Sequence, residues 1–124
     1  MNLKPRGLLA AMSCLGMFLA LSVASFAGEI RTGARMQVKP NSIWFEDTDK
    51  FTHWQQLKKS GDAAALASYQ EEALSHRDAW QFLLPQPVKI LRYDRRKNQV
   101  NVEMTASGRL QGTKWLLDAD ALVQ

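Results

Sequence analysis

The sequence has few of the side chains from which catalytic and metal sites are usually built. It contains one cysteine, Cys14, and two histidines, His53 and His76. A single cysteine cannot form an internal disulfide or a zinc site made of several thiolates. The histidines lack the close spacing of helical metal ligands, and no Gly-x-Ser-x-Gly turn singles out a serine nucleophile. We therefore expect a protein that is not an enzyme and that has neither a metal site nor a cofactor.

The first 27 residues have the three parts of a secretory signal peptide. Lys4 and Arg6 make the amino terminus basic, and a mostly apolar stretch follows from Leu8 to Ala20. The sequence Ser-Phe-Ala at 25–27 then offers small residues to a signal peptidase. We expect cleavage after Ala27 and a periplasmic or secreted protein. The alternative is an uncleaved membrane anchor, since an apolar stretch of about 20 residues can span a bilayer.

Cleavage after residue 27 changes what the composition implies. It removes Lys4, Arg6 and Cys14, which lowers the net charge from +4 to about +2 and leaves no thiol. So small a positive charge, on an exported protein, disfavours nucleic acid as a partner. The mature chain at 28–124 is long enough for one domain with a modest core and too short for two.

The stretch from about residue 41 to 84 is predicted to be a helical insertion. The Ile-Trp-Phe run at 43–45 is either a brief strand or a buried loop. Asp47 and Asp49 are typical of the start of a helix. The Ser-Gly pair at 60–61 is typical of the end of one. A second helix begins near Asp62 and runs to Trp80.

The remainder of the mature chain is predicted to be β-structure. Apolar and polar residues alternate at 34–38, and again on both arms of a hairpin at 88–104 whose turn is charged. A further strand follows at about 109–117, and 118–122 is predicted to form one helical turn. One strand, a helical excursion and then three or four short strands favour a small β-barrel with the helices over one end.

The closing segment at 108–122, Gly-Arg-Leu-Gln-Gly-Thr-Lys-Trp-Leu-Leu-Asp-Ala-Asp-Ala-Leu, resembles that of bacterial SH3-like domains of the SH3b type. In those domains turn glycines lead into a strand with a tryptophan, and a short turn then ends in an apolar residue. The resemblance implies an SH3-like β-barrel over 28–124, with two helices inserted after the first strand and a signal helix before it.

The candidates for partner contact come from a charge division along the chain and from one aromatic run. Residues 41–80 hold seven acids against four bases, whereas 81–124 hold seven bases against four acids. Trp44 precedes the acidic turn and is the tryptophan we expect to be exposed, as a platform for peptides or sugars. The basic cluster surrounds the hairpin tip. The candidates are Trp44, Phe45, Glu46, Asp47, Asp49, Tyr93, Arg95 and Arg96.

Two functional hypotheses follow from these features. The first is an exported, non-enzymatic binding module whose partner is an envelope protein or a peptidoglycan peptide. The alternative is an inhibitor or immunity-type protein that blocks an envelope enzyme through its acidic helical insertion. Under both hypotheses nucleic acid is not a partner, and the chain meets the membrane only through an uncleaved signal segment.

Overall fold

The computed structural model describes residues 29–124, so the predicted signal segment and its cleavage site lie outside the described residues. Over 29–124 the protein is a β-rich domain: a six-stranded antiparallel sheet with two helices, in agreement with the predicted mainly-β class. None of the helices within this range is long and apolar enough to cross a bilayer. The elements are β1 (Arg35–Val38), β2 (Ile43–Phe45), α1 (Thr48–Ser60), α2 (Ala63–Ser75), β3 (Ala79–Gln81), β4 (Gln86–Asp94), β5 (Gln99–Met104), β6 (Lys114–Asp118) and a 3₁₀ turn (Ala119–Ala121).

The strands are ordered β1-β4-β5-β6-β2-β3, so β1 and β3 are the two end strands and do not pair with each other. The residues after the 3₁₀ turn return to β1. Val38 forms an isolated antiparallel bridge with Leu122, and the backbone N–H of Val123 donates to the carbonyl of Gln37 at 2.8 Å. The outer side of β1 is therefore occupied, whereas no described strand covers the outer side of β3.

Both helix starts and the first helix end lie where the sequence predicts them. The side chain of Asp47 accepts a hydrogen bond from the N–H of Lys50, and that of Asp62 accepts one from Ala65. These bonds satisfy donors that the first turn of a helix leaves free. Gly61 ends α1 with a φ of 78°, a left-handed conformation that glycine adopts without strain.

The predicted second helix is too long. It ends at Ser75, and Ala79–Gln81 is a strand paired with β2, with Trp80 opposite Trp44. The chain reverses at Arg77, whose φ is 61°, and a helix cannot continue through that conformation. The predicted insertion at 41–84 therefore contains two strands of the sheet, β2 before the helices and β3 after them. The helices follow β2 and not directly β1.

The last strand is predicted too early. Residues 107–113 form turns, with the N–H groups of Met104 and Gly112 donating to the carbonyls of Thr113 and Met104. Gly112 has a φ of 86°. The strand then starts at Lys114. The predicted hairpin is confirmed: β4 and β5 pair along their length, with a register shift between Ile90 and Arg92.

Buried residues form one cluster on each face of the sheet, because successive side chains of a strand point to opposite faces. Trp115 and Leu117 of β6 belong to the first cluster, while Leu116 between them belongs to the second. The second cluster also holds Phe51 and Trp54, which α1 packs onto the sheet. Strands buried on both faces explain the unbroken apolar runs Ile-Trp-Phe and Trp-Leu-Leu.

Candidate functional site

The prediction that Trp44 is exposed is wrong. Trp44 and its neighbour Phe45 are 0% exposed, since β2 lies inside the sheet between β6 and β3. The Trp44 ring makes edge contacts with Phe82 at 5.0 Å and with Trp115 at 5.8 Å between ring centroids. Phe45 packs on the opposite face, 5.6 Å from Trp54. Neither ring offers a surface to a partner.

The predicted acidic candidates lie together at the start of α1, and all three are exposed. Asp47 has a structural role, because its Oδ2 accepts from the backbone N–H of Lys50 at 2.9 Å. Within residues 29–124, neither Glu46 nor Asp49 has a cation at ion-pair distance. These two carboxylates are therefore free to meet a basic partner.

The exposed tryptophan is Trp80, at 38%. Its ring contacts the edge of Trp115 with 6.2 Å between centroids, and two almost fully exposed leucines follow it, Leu83 at 75% and Leu84 at 70%. We call Trp80, Leu83 and Leu84 the β3 patch. The sequence pattern does not predict this patch, because it places Trp80 in a helix. The signal available there was Leu-Leu-Pro-Gln-Pro at 83–87, since the prolines disfavour a helix that continues through the leucines.

A shallow apolar depression adjoins the β3 patch. The side-chain amide of Gln86 donates to the carbonyl of Leu84 at 3.4 Å, and Gln86 also lines a cleft of about 250 Å³. Met104, Ala106 and Leu110 supply the apolar part of this cleft, and Arg109 lies at its border. This cleft therefore lies between the start of β4 and the turns before β6.

The predicted basic candidates lie at the tip between β4 and β5. Arg95 and Arg96 are exposed, whereas Tyr93 is half-buried against the first core cluster. Asp94 Oδ1 accepts from the N–H of Lys97 at 3.2 Å and closes the turn. The structure thus brings the two arginines together and directs the tyrosine partly inward.

A buried glutamine of α1 holds this tip. Gln55 is 7% exposed, and its Nε2 donates to the carbonyls of Lys97 and Asn98, both at 3.2 Å. Its Oε1 accepts from the side-chain amide of Gln99 at 3.1 Å. Every polar group of the Gln55 side chain is thus engaged by the hairpin, an arrangement that fixes α1 against the tip.

Asp118, at the end of β6, connects three further elements. It is 7% exposed and accepts from Lys58 Nζ at 3.0 Å, from Asn98 Nδ2 at 2.5 Å and from the N–H of Asp120 at 2.9 Å. The ammonium of Lys58 also lies 4.8 Å from the centroid of the Trp54 ring. Neither Gln55 nor Asp118 was predicted as a site residue, because their partners are distant in sequence.

A cleft of about 310 Å³ lies beside these contacts. Its polar groups already bind one another: Lys58 pairs with Asp118, and Trp54 Nε1 donates to Gln70 Oε1 at 2.9 Å. Because these four side chains are engaged with one another, this cleft is a weak candidate for a binding site.

The ionisable groups of the helices are engaged in structural contacts. His53 stacks on Tyr69 with 4.6 Å between ring centroids. The hydrogen bond and ion pair with Asp78, 2.8 Å away, raise the pKa of Lys50. Burial raises the pKa of Tyr69. Over the described part of the chain no group of three or more His, Cys, Asp and Glu residues is arranged to hold a metal ion.

Three surfaces of this domain can therefore meet a partner: the β3 patch, the acids at the start of α1, and the basic tip. No protein-family model, curated protein or solved structure matches the chain. The choice between the three surfaces depends on their own geometry and chemistry.

Proposed function

We propose that this chain is an exported, non-enzymatic binding module whose partner is another protein of the cell envelope. The observation that supports it is the exposure of Trp80, Leu83 and Leu84 within five residues. Single exposed apolar side chains are ordinary, but a cluster of large ones marks an interaction surface. Burying such side chains stabilises a complex by about 25 cal/mol per Å² removed from water.

The β3 patch is held in place before any partner binds. Trp80 is fixed by its pairing opposite Trp44 and by its contact with Trp115. Pro85 and Pro87 restrict the backbone that follows the leucines. Little conformational entropy is then lost on binding, which favours affinity.

The chemistry of the patch favours a protein over a peptidoglycan peptide. A wall peptide is rich in amide and carboxylate groups, each of which needs a hydrogen-bond partner when it is buried. The patch offers three apolar side chains instead, of which tryptophan is among the commonest anchors in protein interfaces. Export to the periplasm or beyond is part of the proposal and is supported by the basic start, apolar stretch and Ser-Phe-Ala site of residues 1–27.

We infer further that the sheet is an open SH3-like barrel, in which the end strands β1 and β3 do not pair. The closing segment has the order that the resemblance implies, a strand with a tryptophan and then a short turn that ends in an apolar residue, and that residue, Leu122, forms a bridge with Val38. Strand β4 pairs with β1 over its first half and with β5 from Val88 to Asp94, and its pairing with β5 shifts register between Ile90 and Arg92. A shift of this kind bends a strand, as curvature of a small barrel requires.

The proposal is tested by cross-linking from the patch. A photoreactive phenylalanine analogue replaces Leu83 in the exported protein, and a second version carries it at Val123, another exposed apolar position. We expect one discrete product from position 83, containing an envelope protein that co-purifies in fixed stoichiometry, and none from position 123. The double variant Leu83→Ser, Leu84→Ser should lose that partner, while Val123→Ser should keep it.

Two outcomes would contradict a hetero-partner at the patch. One is a cross-link that joins two copies of this chain, with a matching dimer in sedimentation. The other is a complex that survives the double leucine substitution unchanged.

The inhibitor hypothesis remains a second candidate because Glu46 and Asp49 are exposed and unpaired in the described chain. Under this hypothesis the partner is an envelope enzyme with a basic site. The double variant Glu46→Gln, Asp49→Asn, which keeps the cap at Asp47, should then abolish the complex and restore the enzyme's activity. Loss of the complex on the leucine substitutions alone favours the β3 patch.

A further inference from the structure

A second surface of the domain, distinct from the β3 patch, gathers positive charge. A cleft of about 210 Å³ lies between the second half of α1 and the tip of the β4–β5 hairpin. Lys59 of α1 and Arg96 and Lys97 of the hairpin line it together. The polar side chains Thr52, Gln55, Gln56 and Gln99 form the rest of its walls.

None of the three cations of this cleft is in an ion pair within the described residues. The ion pairs of the nearby segments join Lys50 to Asp78 and Lys58 to Asp118, and neither reaches the cleft. Asp94 is the closest carboxylate in sequence, and its Oδ1 accepts from the backbone N–H of Lys97 at 3.2 Å. One carboxylate against three cations leaves the cleft with a net positive charge. Like charges brought together in this way repel one another, and a bound anion relieves that repulsion.

The cleft is built on backbone that other contacts hold. Gln55 donates to the carbonyls of residues 97 and 98, and Asn98 donates in turn to Asp118. Asn98 itself has a φ of 52°, a conformation that asparagine tolerates better than most residues. The two faces of the cleft therefore keep their spacing without a ligand, as a preorganised site requires.

We propose that this cleft binds a phosphate group. A guanidinium fork and two ammonium groups match the charge and the several acceptor oxygens of a phosphate better than the single charge of a carboxylate. The hydroxyl and amide groups of the walls supply further donors. No aromatic ring lines the cleft, so a nucleobase or sugar ring finds no platform there. The phosphate belongs either to a lipid headgroup or to a small soluble phosphate.

The site is independent of the proposed protein-binding function. The β3 patch precedes Gln86 and the cleft follows Asp94, at opposite ends of β4. At about 3.3 Å per residue these ends lie roughly 25 Å apart. A protein partner at one end leaves the other accessible, and each proposal can fail without the other.

The direct test titrates inorganic phosphate into the exported protein and follows backbone amide signals by NMR, with acetate at equal ionic strength as the control anion. We expect saturable shifts at Lys59, Arg96 and Lys97 with phosphate and much weaker ones with acetate. Arg96→Gln and Lys97→Gln should each weaken phosphate binding about tenfold or more, since a hydrogen bond to a charged group is worth about 1.5–3 kcal/mol.

The matched control is Arg109→Gln. It removes one exposed arginine and lowers the net charge equally, but it lies near the other end of β4. The Arg109→Gln variant should bind phosphate with the same affinity as the unsubstituted protein. If Arg96→Gln and Arg109→Gln weaken phosphate binding equally, the loss reflects the overall charge of the protein and the cleft is not the site. The absence of saturable phosphate binding would also overturn the proposal.

Vesicles distinguish the two sources of the phosphate. The protein is sedimented with phosphatidylcholine vesicles that contain or lack phosphatidic acid. Binding to the former alone, reversed by free phosphate and lost in Arg96→Gln, identifies a lipid headgroup. Phosphate binding without vesicle binding identifies a soluble phosphate. Vesicle binding that free phosphate does not reverse would contradict the cleft as the site.

Discussion

The ammonium of Lys58 lies 3.0 Å from the carboxylate of Asp118, and this contact joins α1 to the end of the last strand. The two side chains differ in their exposure to solvent. That of Lys58 is 36% exposed, whereas that of Asp118 is 9% exposed and also accepts from Asn98 and from the N–H of Asp120. Removing the aspartate leaves three donors without an acceptor, while removing the lysine leaves two of the aspartate's contacts intact.

We therefore predict an asymmetric effect of substitutions at this ion pair. Asp118→Ala should lower the free energy of unfolding by about 2–3 kcal/mol, because it removes the acceptor of three partly buried hydrogen bonds. Lys58→Met should cost about 1 kcal/mol or less, since a partly exposed ion pair contributes little. Urea unfolding followed by circular dichroism measures both. Asp120→Asn, at an exposed neighbour, is the control, and equal losses for the first two variants would contradict the assignment.

The contacts of Gln55 lead to a prediction that links stability to the phosphate cleft. Gln55→Ala removes three partly buried hydrogen bonds and should destabilise the domain by about 1–2 kcal/mol, because the carbonyl of Lys97 loses the donor that Gln55 supplies, while that of Asn98 keeps the N–H of Ala119. It should also weaken phosphate binding although it deletes no charge. Phosphate affinity and unfolding are measured on the same sample, with Gln56→Ala as the neighbouring control. Unchanged affinity in Gln55→Ala would show that the tip needs no support from α1.

The four tryptophans should respond unequally to substitution and to quenching. Trp80→Ala should cost less than Trp44→Ala because the Trp80 side chain is already 38% exposed, whereas Trp44→Ala should cost about 3–5 kcal/mol through the cavity it leaves in the core. Acrylamide should quench Trp80 preferentially. The check is fluorescence of the unsubstituted protein against Trp80→Phe, in which the easily quenched component should disappear.

Stability should fall at alkaline pH through two residues of the helical insertion. The folded-state pKa of Lys50 is raised above its ordinary value of 10.5 by the hydrogen bond with Asp78, and that of Tyr69 above 10.0 by burial. Because the folded-state pKa is raised, each side chain keeps its proton in the folded protein at pH values at which it has lost that proton in the unfolded chain. The stabilisation is therefore complete below about pH 10 and is lost as pH rises through the folded-state values.

The measurement is the urea midpoint between neutral pH and the region above pH 10. The double variant Lys50→Met, Tyr69→Phe should flatten the alkaline decline relative to the unsubstituted protein. Lys59→Met, which removes a lysine that has no ion pair in the described residues, should leave the decline as it was. If the urea midpoint falls equally steeply with pH in all three proteins, other ionisable groups cause the alkaline loss of stability.

Local patterns in the sequence predict much of the fold. The β4–β5 hairpin follows from alternation, and the ends of α1 follow from Asp47 and Gly61, because each depends on neighbours within a few residues. β3 does not follow. Ala-Trp-Gln at 79–81 has no strand pattern of its own and becomes a strand only by pairing with β2, across two intervening helices.

The candidate sites are harder to predict than the elements. The basic tip is visible as a charge cluster, but its partner Lys59 is supplied by a helix distant in sequence. Trp44 was predicted to be exposed because its neighbours at 46–49 are acidic and at the surface. Its burial is decided by β6, whose tryptophan and leucines cover both faces of the sheet beside it. Contacts of this range leave no trace in a local pattern.

The pairing of β2 with β3 has a consequence for how the gene can vary. Phe45 and Ala79 are opposite each other in the register, so the chain leaves the sheet and re-enters it at adjacent positions. Codons gained or lost in the link between α1 and α2 change the length of an excursion without altering which residues pair in the sheet. Homologous domains can therefore differ in the length of this link while keeping the strand framework, and foreign segments are best inserted between Gly61 and Asp62.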